Sequence, residues 1–240
     1  MKNRNAQIER PQWGLLEISA VYIGILAAGL LFGSFSDVIK SWLTGIGIDN
    51  IAIAYFIIVY FFQFIVTLLL VLVFTMVFNQ ASLSDLGLRH TTWVNYLRYG
   101  ISGGFLLMVI IMGLGLIMNY FNPEIKPQPF EEMLREASSI SFIFLLVIGA
   151  VLAPISEELY YRGMVYPVFR FYMGPLGGAI VAGLIFGLVH WDLWRAIPLA
   201  AGGAILCYIY EKSGSILVSA VAHGTWNGIM ALIVCLTSSG

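Results

Sequence analysis

The chain has 240 residues, of which 60% are hydrophobic and only 10% are charged, and its formal net charge is −1. Soluble globular proteins carry about 25% charged residues, so this composition excludes an ordinary soluble domain. The small net charge excludes a nucleic-acid-binding protein that relies on a basic surface. We therefore expect an all-α, polytopic transmembrane helical bundle whose surroundings are the lipid bilayer.

Apolar stretches long enough, or nearly long enough, to cross a bilayer recur along the whole chain. A spanning helix needs about 20 mostly apolar residues. The fourth stretch is too long for one straight span, and Pro154 within it should kink or break the helix. We expect about seven spans, within a range of six to eight. The stretches are residues 13–35, 51–78, 99–121, 139–170, 173–190, 196–210 and 213–236.

The segments between the spans are short. The first stretch is longer than the apolar region of a signal peptide and lacks a small-residue cleavage site, so it is predicted to be a retained span. Residues 37–50 indicate an interfacial helix, and residues 82–89 a short amphipathic interfacial piece. The Glu131-Glu132 run is predicted to be a solvated face.

Lysine and arginine accumulate on cytoplasmic loops, so their positions predict an orientation. With the N-terminus inside and seven spans, the inner residues outnumber the outer ones. The inner set is Lys2, Arg4, Arg10, Arg89, Arg98, Arg162, Arg170 and Lys212. The outer set is Lys40, Lys126, Arg135 and Arg195.

Two adjacent glutamates, Glu157 and Glu158, follow an apolar run that has no charged residue, residues 140–152. Ionisable groups within a membrane are costly, and their default interpretation is functional. Glu158 and Arg162 share one helix face because they are four residues apart. Glu157 is rotated by about 100° from Glu158. We therefore expect Arg162 to hold one carboxylate while the other faces a cavity.

Two of the three histidines lie in or beside apolar spans of the same half. His190 ends the run that begins at Phe186, and His223 precedes Asn227 by four residues. A single histidine on an apolar face is usually a hydrogen-bonded core residue, and His90 belongs to a polar loop. Two histidines on separate spans, together with the acidic pair, favour a shared site.

These residue types suit hydrolysis without a covalent nucleophile. That reaction needs an activated water, a general base and a donor to the oxyanion. A desolvated glutamate and a neutral histidine can move the proton. Glutamate with two histidines is also a plausible zinc-ligand set, although the zincin H-E-x-x-H pattern is absent. The residues leave both forms of hydrolysis open.

The three groupings read EExxxR, FxxxH and Hxxx(N/D), in that order. They resemble the motifs of the CPBP family of intramembrane proteases, which includes the type II CAAX prenyl endopeptidases and bacterial Abi relatives. The resemblance covers about residues 140–230, with a weaker piece at 83–89. It implies one integrated membrane domain with N-terminal helices in residues 1–138 and a catalytic core of the last four spans in residues 139–240.

The resemblance also implies site roles and a substrate class. Glu157 would activate the water and His190 would share that task, while His223 and Asn227 would stabilise the oxyanion. Supporting roles fall to Glu158, Arg162 and Phe186. The implied activity is endopeptidase cleavage of a membrane-associated protein or peptide in a bacterial plasma membrane. The resemblance makes no cofactor certain and leaves open whether a divalent metal such as zinc is bound by Glu157, His190 and His223.

Two other functions fit the same residues. Buried glutamate, arginine and histidine also form ion relays in transporters, although no repeated half is visible. A non-catalytic membrane partner of the bacteriocin-immunity type is the other alternative. A helical rise of about 1.5 Å per residue requires residues 157–169 to be embedded helix if Glu157 is to reach the histidines. We expect Glu157 within about 12 Å of at least one of them.

Overall fold

The computed structural model describes residues 10–124 and 126–238, which form eight helices without a β-strand. The inside assignment of Lys2 and Arg4 lies outside these residues. The prediction of an all-α, polytopic membrane bundle is confirmed. The helices are α1 (Leu15–Gly33), α2 (Ser36–Gly45), α3 (Ile51–Phe78), α4 (Trp93–Phe121), α5 (Pro129–Glu136), α6 (Ser139–Leu188), α7 (Leu193–Ser213) and α8 (Ile216–Ser238).

Six of the described helices are long and apolar enough to cross a membrane, namely α1, α3, α4, α6, α7 and α8. Large apolar side chains on their outer faces are exposed, for example Leu16 at 83% and Leu30 at 78%. Water would not stabilise such surfaces, whereas lipid does. This surface is that of a multi-pass membrane protein.

Helix α6 contains the fourth and fifth predicted stretches and doubles back within itself. Gly174 has φ 72° and ψ 174°, and Pro175 follows it. A positive φ of this size favours glycine. A Cβ on Gly178 would lie 2.6 Å from the backbone nitrogen of Arg170, so the two arms touch directly after the turn. The reversal at Gly174 lies at the predicted boundary between the fourth and fifth stretches, residues 139–170 and 173–190.

Pro154 does not break α6, because the helix changes its hydrogen-bonding pattern around it. A π-helical turn at Ile148–Leu152 precedes the proline, which then occupies the first turn of the α-helical segment Ala153–Glu158. A proline is tolerated in a first turn because the backbone N–H that it lacks would have no partner there within the helix. A second π-helical turn, Leu159–Val165, carries Arg162. Such turns often occur at functional sites.

Two segments were predicted to be interfacial. Helix α2 forms where a helix was predicted in residues 37–50, and its position at a membrane interface stays a prediction. Residues 82–89 form successive turns in which Ser82, Leu83, Ser84, Asp85 and Arg89 are exposed. Leu86 is fully buried, and Gly87, with φ 76°, accepts a hydrogen bond from the backbone of Ile216 at 3.0 Å. The segment thus has one exposed and one buried side, as an amphipathic piece should, and its position at a membrane interface stays a prediction.

The bundle has two ends, and contacts between distant segments define the first of them, here called the proximal end. The indole of Trp13 donates to the carbonyl of Met164 at 2.8 Å, and Ser215 donates to the carbonyl of Arg89 at 2.5 Å. The proximal end therefore joins the start of α1, residues 82–89, the Gly174 turn and the α7–α8 connection.

The opposite, distal end contains the α1–α3, α4–α5 and α6–α7 connections. Arg195 at the start of α7 donates to the carbonyl of Lys126 before α5. The rings of Phe56 on α3 and Phe130 on α5 lie 5.7 Å apart. The proposed division at residue 138 falls between α5 and α6 and stays a prediction.

Candidate active site

The two adjacent glutamates of α6 have different surroundings. The Glu158 side chain is fully buried, whereas the Glu157 side chain is 31% exposed and lines a cavity. The helical rotation of about 100° between neighbours produces this difference. Residues 157–169 are helical, as predicted. The prediction that one carboxylate is held and the other faces a cavity is confirmed.

Glu158 is neutralised by a buried arginine. Arg162 Nη1 donates to Glu158 Oε1 at 2.7 Å, and Arg162 Nη2 donates to the carbonyl of Gly203 at 2.9 Å. The Arg162 side chain is 1% exposed. Burying two charges is costly unless they pair closely and gain further hydrogen bonds. The Arg162 bonds meet this requirement and connect α6 to α7.

His223 on α8 lies between the two glutamates. Its Nδ1 is 3.0 Å from Glu158 Oε1, and its Nε2 is 3.8 Å from Glu157 Oε2. A carboxylate accepts hydrogen bonds, so Glu158 favours the tautomer with a proton on Nδ1. The other ring nitrogen then faces Glu157. Glu157 is therefore well within the expected 12 Å of a histidine.

Aromatic rings fix the plane of His223. Trp226 stacks on it with centroids 5.4 Å apart and an interplanar angle of 23°. Phe186 approaches the same ring edge-on at 5.8 Å and also lies 5.0 Å from the Arg162 guanidinium. Such cation–π and edge-to-face contacts stabilise defined orientations. Phe186, predicted to be supporting, thus contacts members of all three motif groups, including His190 at 5.1 Å.

His190 follows the last turn of α6, and its ring is also oriented. Its Nδ1 lies 2.8 Å from the carbonyl of Phe186, which can only accept. That bond leaves Nε2 for the cavity, which His190 lines together with Glu157. Motif spacing FxxxH thus has a local cause, since a histidine four residues after Phe186 reaches back to its carbonyl.

Asn227 lines the same cavity, one helical turn after His223. Its Nδ2 donates to the carbonyl of Gly149 at 2.9 Å, which belongs to the first π-helical turn of α6. One amide N–H and the side-chain oxygen remain for a ligand. The approach of α8 to this turn is very close, because a Cβ on Gly224 would lie 2.2 Å from the Ala150 oxygen.

The cavity has a volume of about 500 Å³. Glu157, His190, His223 and Asn227 all line it, so the structure brings the four predicted site residues together. Their catalytic roles stay predictions. Most of the remaining wall is apolar and comes from α4, α7 and α8, including Ile111, Leu199, Trp226 and Met230. The space is sufficient for several side chains of a substrate.

Sequence reasoning missed several residues around the site. The Glu131-Glu132 run was predicted to be a solvated face, and Glu132 is exposed. Glu131 is partly exposed and also lines the cavity together with Gln128 and Arg195, which the charge run did not reveal. Trp226 was also missed, although its position three residues after His223 places it on the same helix face.

The placement of possible metal-donor side chains bears on the alternative of a metal-dependent enzyme. Among residues 10–124 and 126–238, no group of three or more histidine, cysteine, aspartate or glutamate side chains is arranged to hold a metal ion. His223 directs Nδ1 to Glu158, which leaves Nε2 on the side of Glu157. The zinc alternative at Glu157, His190 and His223 stays a prediction, and the mechanism below uses no metal.

Comparison with known proteins points to one family. Residues 139–229 match the family model described as type II CAAX prenyl endopeptidase Rce1-like. This C-terminal part of the chain is similar to the CPBP family. The match contains every motif residue of the candidate site, from Glu157 to Asn227.

Two Bacillus subtilis (strain 168) proteins are also similar to the chain. The uncharacterized protein YyaK is 26% identical over 150 residues, which are 58% of this chain and 47% of that protein. YdiL, named as a candidate membrane peptidase, is 22% identical over 89 residues, 37% of this chain and 36% of YdiL. The matches thus span less than half of either relative. No solved structure matches the chain significantly.

Proposed function

We propose that the protein is an intramembrane endopeptidase that hydrolyses a peptide bond of a membrane-associated protein or peptide, in a bacterial plasma membrane. The observation that carries this proposal is the position of Glu157. It is the partly exposed member of the acidic pair, and it faces the cavity 3.8 Å from a histidine whose other nitrogen meets the buried Glu158. The similarity of residues 139–229 to the type II CAAX prenyl endopeptidase family supports it.

Water activation is assigned to Glu157. Its carboxylate accepts a proton from a water molecule in the cavity, and Nε2 of His190 provides the second acceptor for that water. A positioned general base contributes about 10²- to 10⁴-fold to such reactions. The apolar wall excludes bulk water and strengthens these interactions.

Stabilisation of the developing oxyanion is assigned to Asn227 and His223. Asn227 has one amide N–H beyond its bond to Gly149. His223 donates from Nε2 when it is protonated, and Glu158 then stabilises the imidazolium from the Nδ1 side, as the buried carboxylate does in a Ser-His-Asp triad. Donors of this kind contribute about 3–4 kcal/mol each.

The steps balance with these groups alone. The water oxygen forms a bond to the carbonyl carbon while Glu157 takes its proton, and the π electrons move to the carbonyl oxygen. The tetrahedral intermediate then collapses and the C–N bond breaks. The leaving nitrogen takes the proton from Glu157, which restores the carboxylate.

The test uses the purified protein in liposomes together with solubilised bacterial membrane proteins as probe substrates. New N-termini in those proteins are identified by mass spectrometry. We expect Glu157→Gln to abolish the new termini and to leave the melting temperature unchanged. The matched control is Glu136→Gln, because Glu136 is exposed and lies outside the cavity.

Retained termini with Glu157→Gln would contradict the assignment. Substrate flux without hydrolysis would instead favour the transporter alternative, and unchanged protection of cells against a bacteriocin by Glu157→Gln would favour the immunity alternative. A parallel sample treated with a chelator tests the divalent metal, since a metal-dependent enzyme loses cleavage there and regains it with zinc.

A further inference from the structure

A proline inside α6 frees a backbone carbonyl next to the candidate site. Pro154 begins an α-helical segment, but the π-helical turn before it belongs to the same continuous helix. A helical carbonyl accepts from the N–H four residues later, or five residues later in a π-helical turn. For the carbonyl of Gly149, these positions are 153 and 154. The N–H of Ala153 bonds to Ile148, and Pro154 has no N–H. Within α6, the Gly149 carbonyl therefore finds neither donor.

Helix α8 supplies the missing donor. The Nδ2 atom of Asn227 donates to the Gly149 carbonyl at 2.9 Å. The carbonyl of Ala150, whose α-helical donor would also be residue 154, faces α8 as well, because a Cβ on Gly224 would lie 2.2 Å from its oxygen. A glycine leaves room for this approach, and its Cα–H can contact the oxygen. Helix α8 thus packs where Pro154 leaves α6 with free acceptors.

The Gly149 carbonyl also decides which way the Asn227 amide points. The oxygen and nitrogen of a side-chain amide occupy similar space, and a flip exchanges them. A carbonyl oxygen only accepts, so it selects the orientation in which Nδ2 faces α6. The second N–H of Nδ2 and the oxygen Oδ1 then remain for the cavity that Asn227 lines.

Packing on three helices supports this orientation. Pro154 is buried, and Phe130 of α5 packs on Gly149, where a Cβ would lie 3.0 Å from the Phe130 ring. On α8, Gly228 directly follows Asn227, and a Cβ on it would lie 3.3 Å from the Cβ of Ala150. The bond between Asn227 and Gly149 therefore lies at a point where α5, α6 and α8 meet closely.

We propose that Pro154 is a positioning residue of the active site: because it offers no N–H, the Gly149 carbonyl stays free to orient the Asn227 amide. The assignment of the second amide N–H to the oxyanion rests on the proposed endopeptidase function. The hydrogen bond and its dependence on Pro154 do not rest on that function. A residue with an N–H at position 154 competes with Asn227 for the same carbonyl.

The variant Pro154→Ala supplies this competing N–H. The matched control is Pro167→Ala, because Pro167 also begins the segment after a π-helical turn of α6, where the N–H of Tyr166 bonds to Tyr161. Pro167 is not among the described residues that line the cavity. By its spacing, an N–H restored at position 167 faces the carbonyls of residues 162 and 163 and not the partner of Asn227.

The first measurement is NMR spectroscopy of the full chain in detergent micelles, with asparagine isotope-labelled at the side-chain amide. The variant Asn227→Ala identifies the Asn227 signals by their absence. We expect Pro154→Ala to shift the signal of the bonded Nδ2 proton and to speed its exchange with water. Pro167→Ala should leave both unchanged. Asn227 signals that do not move in Pro154→Ala would overturn the inference.

Melting temperatures test the same coupling without a spectroscopic signal. In Asn227→Ala the Gly149 carbonyl loses its donor, and the N–H that Pro154→Ala introduces can replace it. Pro154→Ala should therefore raise the melting temperature of Asn227→Ala by more than that of the parent. Equal changes in both backgrounds would show that Pro154 and Asn227 are independent.

Cleavage of one of the probe proteins links the bond to the reaction. We expect Pro154→Ala to lower kcat by about 10²-fold, as for a displaced catalytic donor, and to leave KM nearly unchanged. A higher KM at unchanged kcat would overturn the positioning role. Shifted Asn227 signals in a protein that cleaves nothing would refute the endopeptidase proposal and leave the inference on the hydrogen bond intact. Cleavage by the parent together with unmoved signals would refute only the inference on Pro154.

Discussion

The Nδ1 atom of His223 lies 3.0 Å from Oε1 of Glu158, the same oxygen that accepts a hydrogen bond from Arg162. One buried carboxylate oxygen thus connects the second motif residue of α6 with the last motif of α8. Glu158 is a positioning residue in this arrangement, because it orients His223 and is separated from the cavity.

The first prediction concerns the buried charge pair. Glu158→Gln leaves the Arg162 guanidinium without a counter-charge, so we expect the free energy of unfolding to fall by about 3–5 kcal/mol. Adding Arg162→Met should recover part of that loss, because the unpaired charge is then removed. Chemical unfolding in detergent micelles measures both variants and Arg162→Met alone. Strictly additive effects would show that the two side chains are not coupled.

The second prediction compares two glycines. Gly224→Ala places a Cβ 2.2 Å from the Ala150 oxygen, so α8 must move away from α6. We expect a loss of about 1–3 kcal/mol from such overpacking. The control is Gly113→Ala on α4, where a Cβ meets nothing within 4 Å. Melting temperatures check the pair, and equal effects would contradict the close approach.

The third prediction tests the apolar part of the cavity. Gly115 lines it, and a Cβ there meets no atom within 4 Å. Gly115→Leu should fill the space and lower kcat/KM for cleavage without a loss of stability. Gly113→Leu, two residues away and outside the cavity lining, should leave kcat/KM unchanged. If both variants cleave as the parent does, substrate does not occupy this space.

The fourth prediction concerns pH and the start of α7. Asp192 Oδ1 accepts hydrogen bonds from the backbone nitrogens of Trp194 and Arg195, both at 3.1 Å. Partial burial favours the neutral acid, but the hydrogen bonds and charge of Arg195 outweigh it and lower the pKa of Asp192. Asp192→Ala should cost about 1 kcal/mol at neutral pH, as for other N-caps.

Because the pKa of Asp192 is lower in the folded state, its carboxylate stabilises the protein at pH values above the pKa of the unfolded chain, which is about 3.9. This stabilisation is lost as the pH falls through the lower pKa that Asp192 has in the folded state. The difference in unfolding free energy between the parent and Asp192→Ala should therefore shrink below about pH 4. Asp192→Asn retains a cap without a titrating group, so the difference in unfolding free energy between Asp192→Asn and Asp192→Ala should not change over this pH range.

Local spacing predicted one part of the site and long-range packing determined the rest. The pairing of Glu158 with Arg162 follows from their separation of four residues on one helix. The contact between His223 and Glu158 joins two helices, and a single sequence carries no information on their register. For the same reason, the burial of Leu86 and the cavity position of Glu131 were not predicted. The boundary near Gly174 was predicted, whereas the break at Pro154 was not found, because a π-helical turn precedes the proline.

The turn at Gly174 has a consequence for the biogenesis of the protein. The second arm of α6, residues 175–188, is about 21 Å long at 1.5 Å per residue, whereas the hydrocarbon core measures about 30 Å. Such a segment is a poor substrate for independent insertion by the translocation machinery. It enters as the trailing half of a helical hairpin, so His190 reaches its final depth only after the segment that carries Glu157 has been integrated.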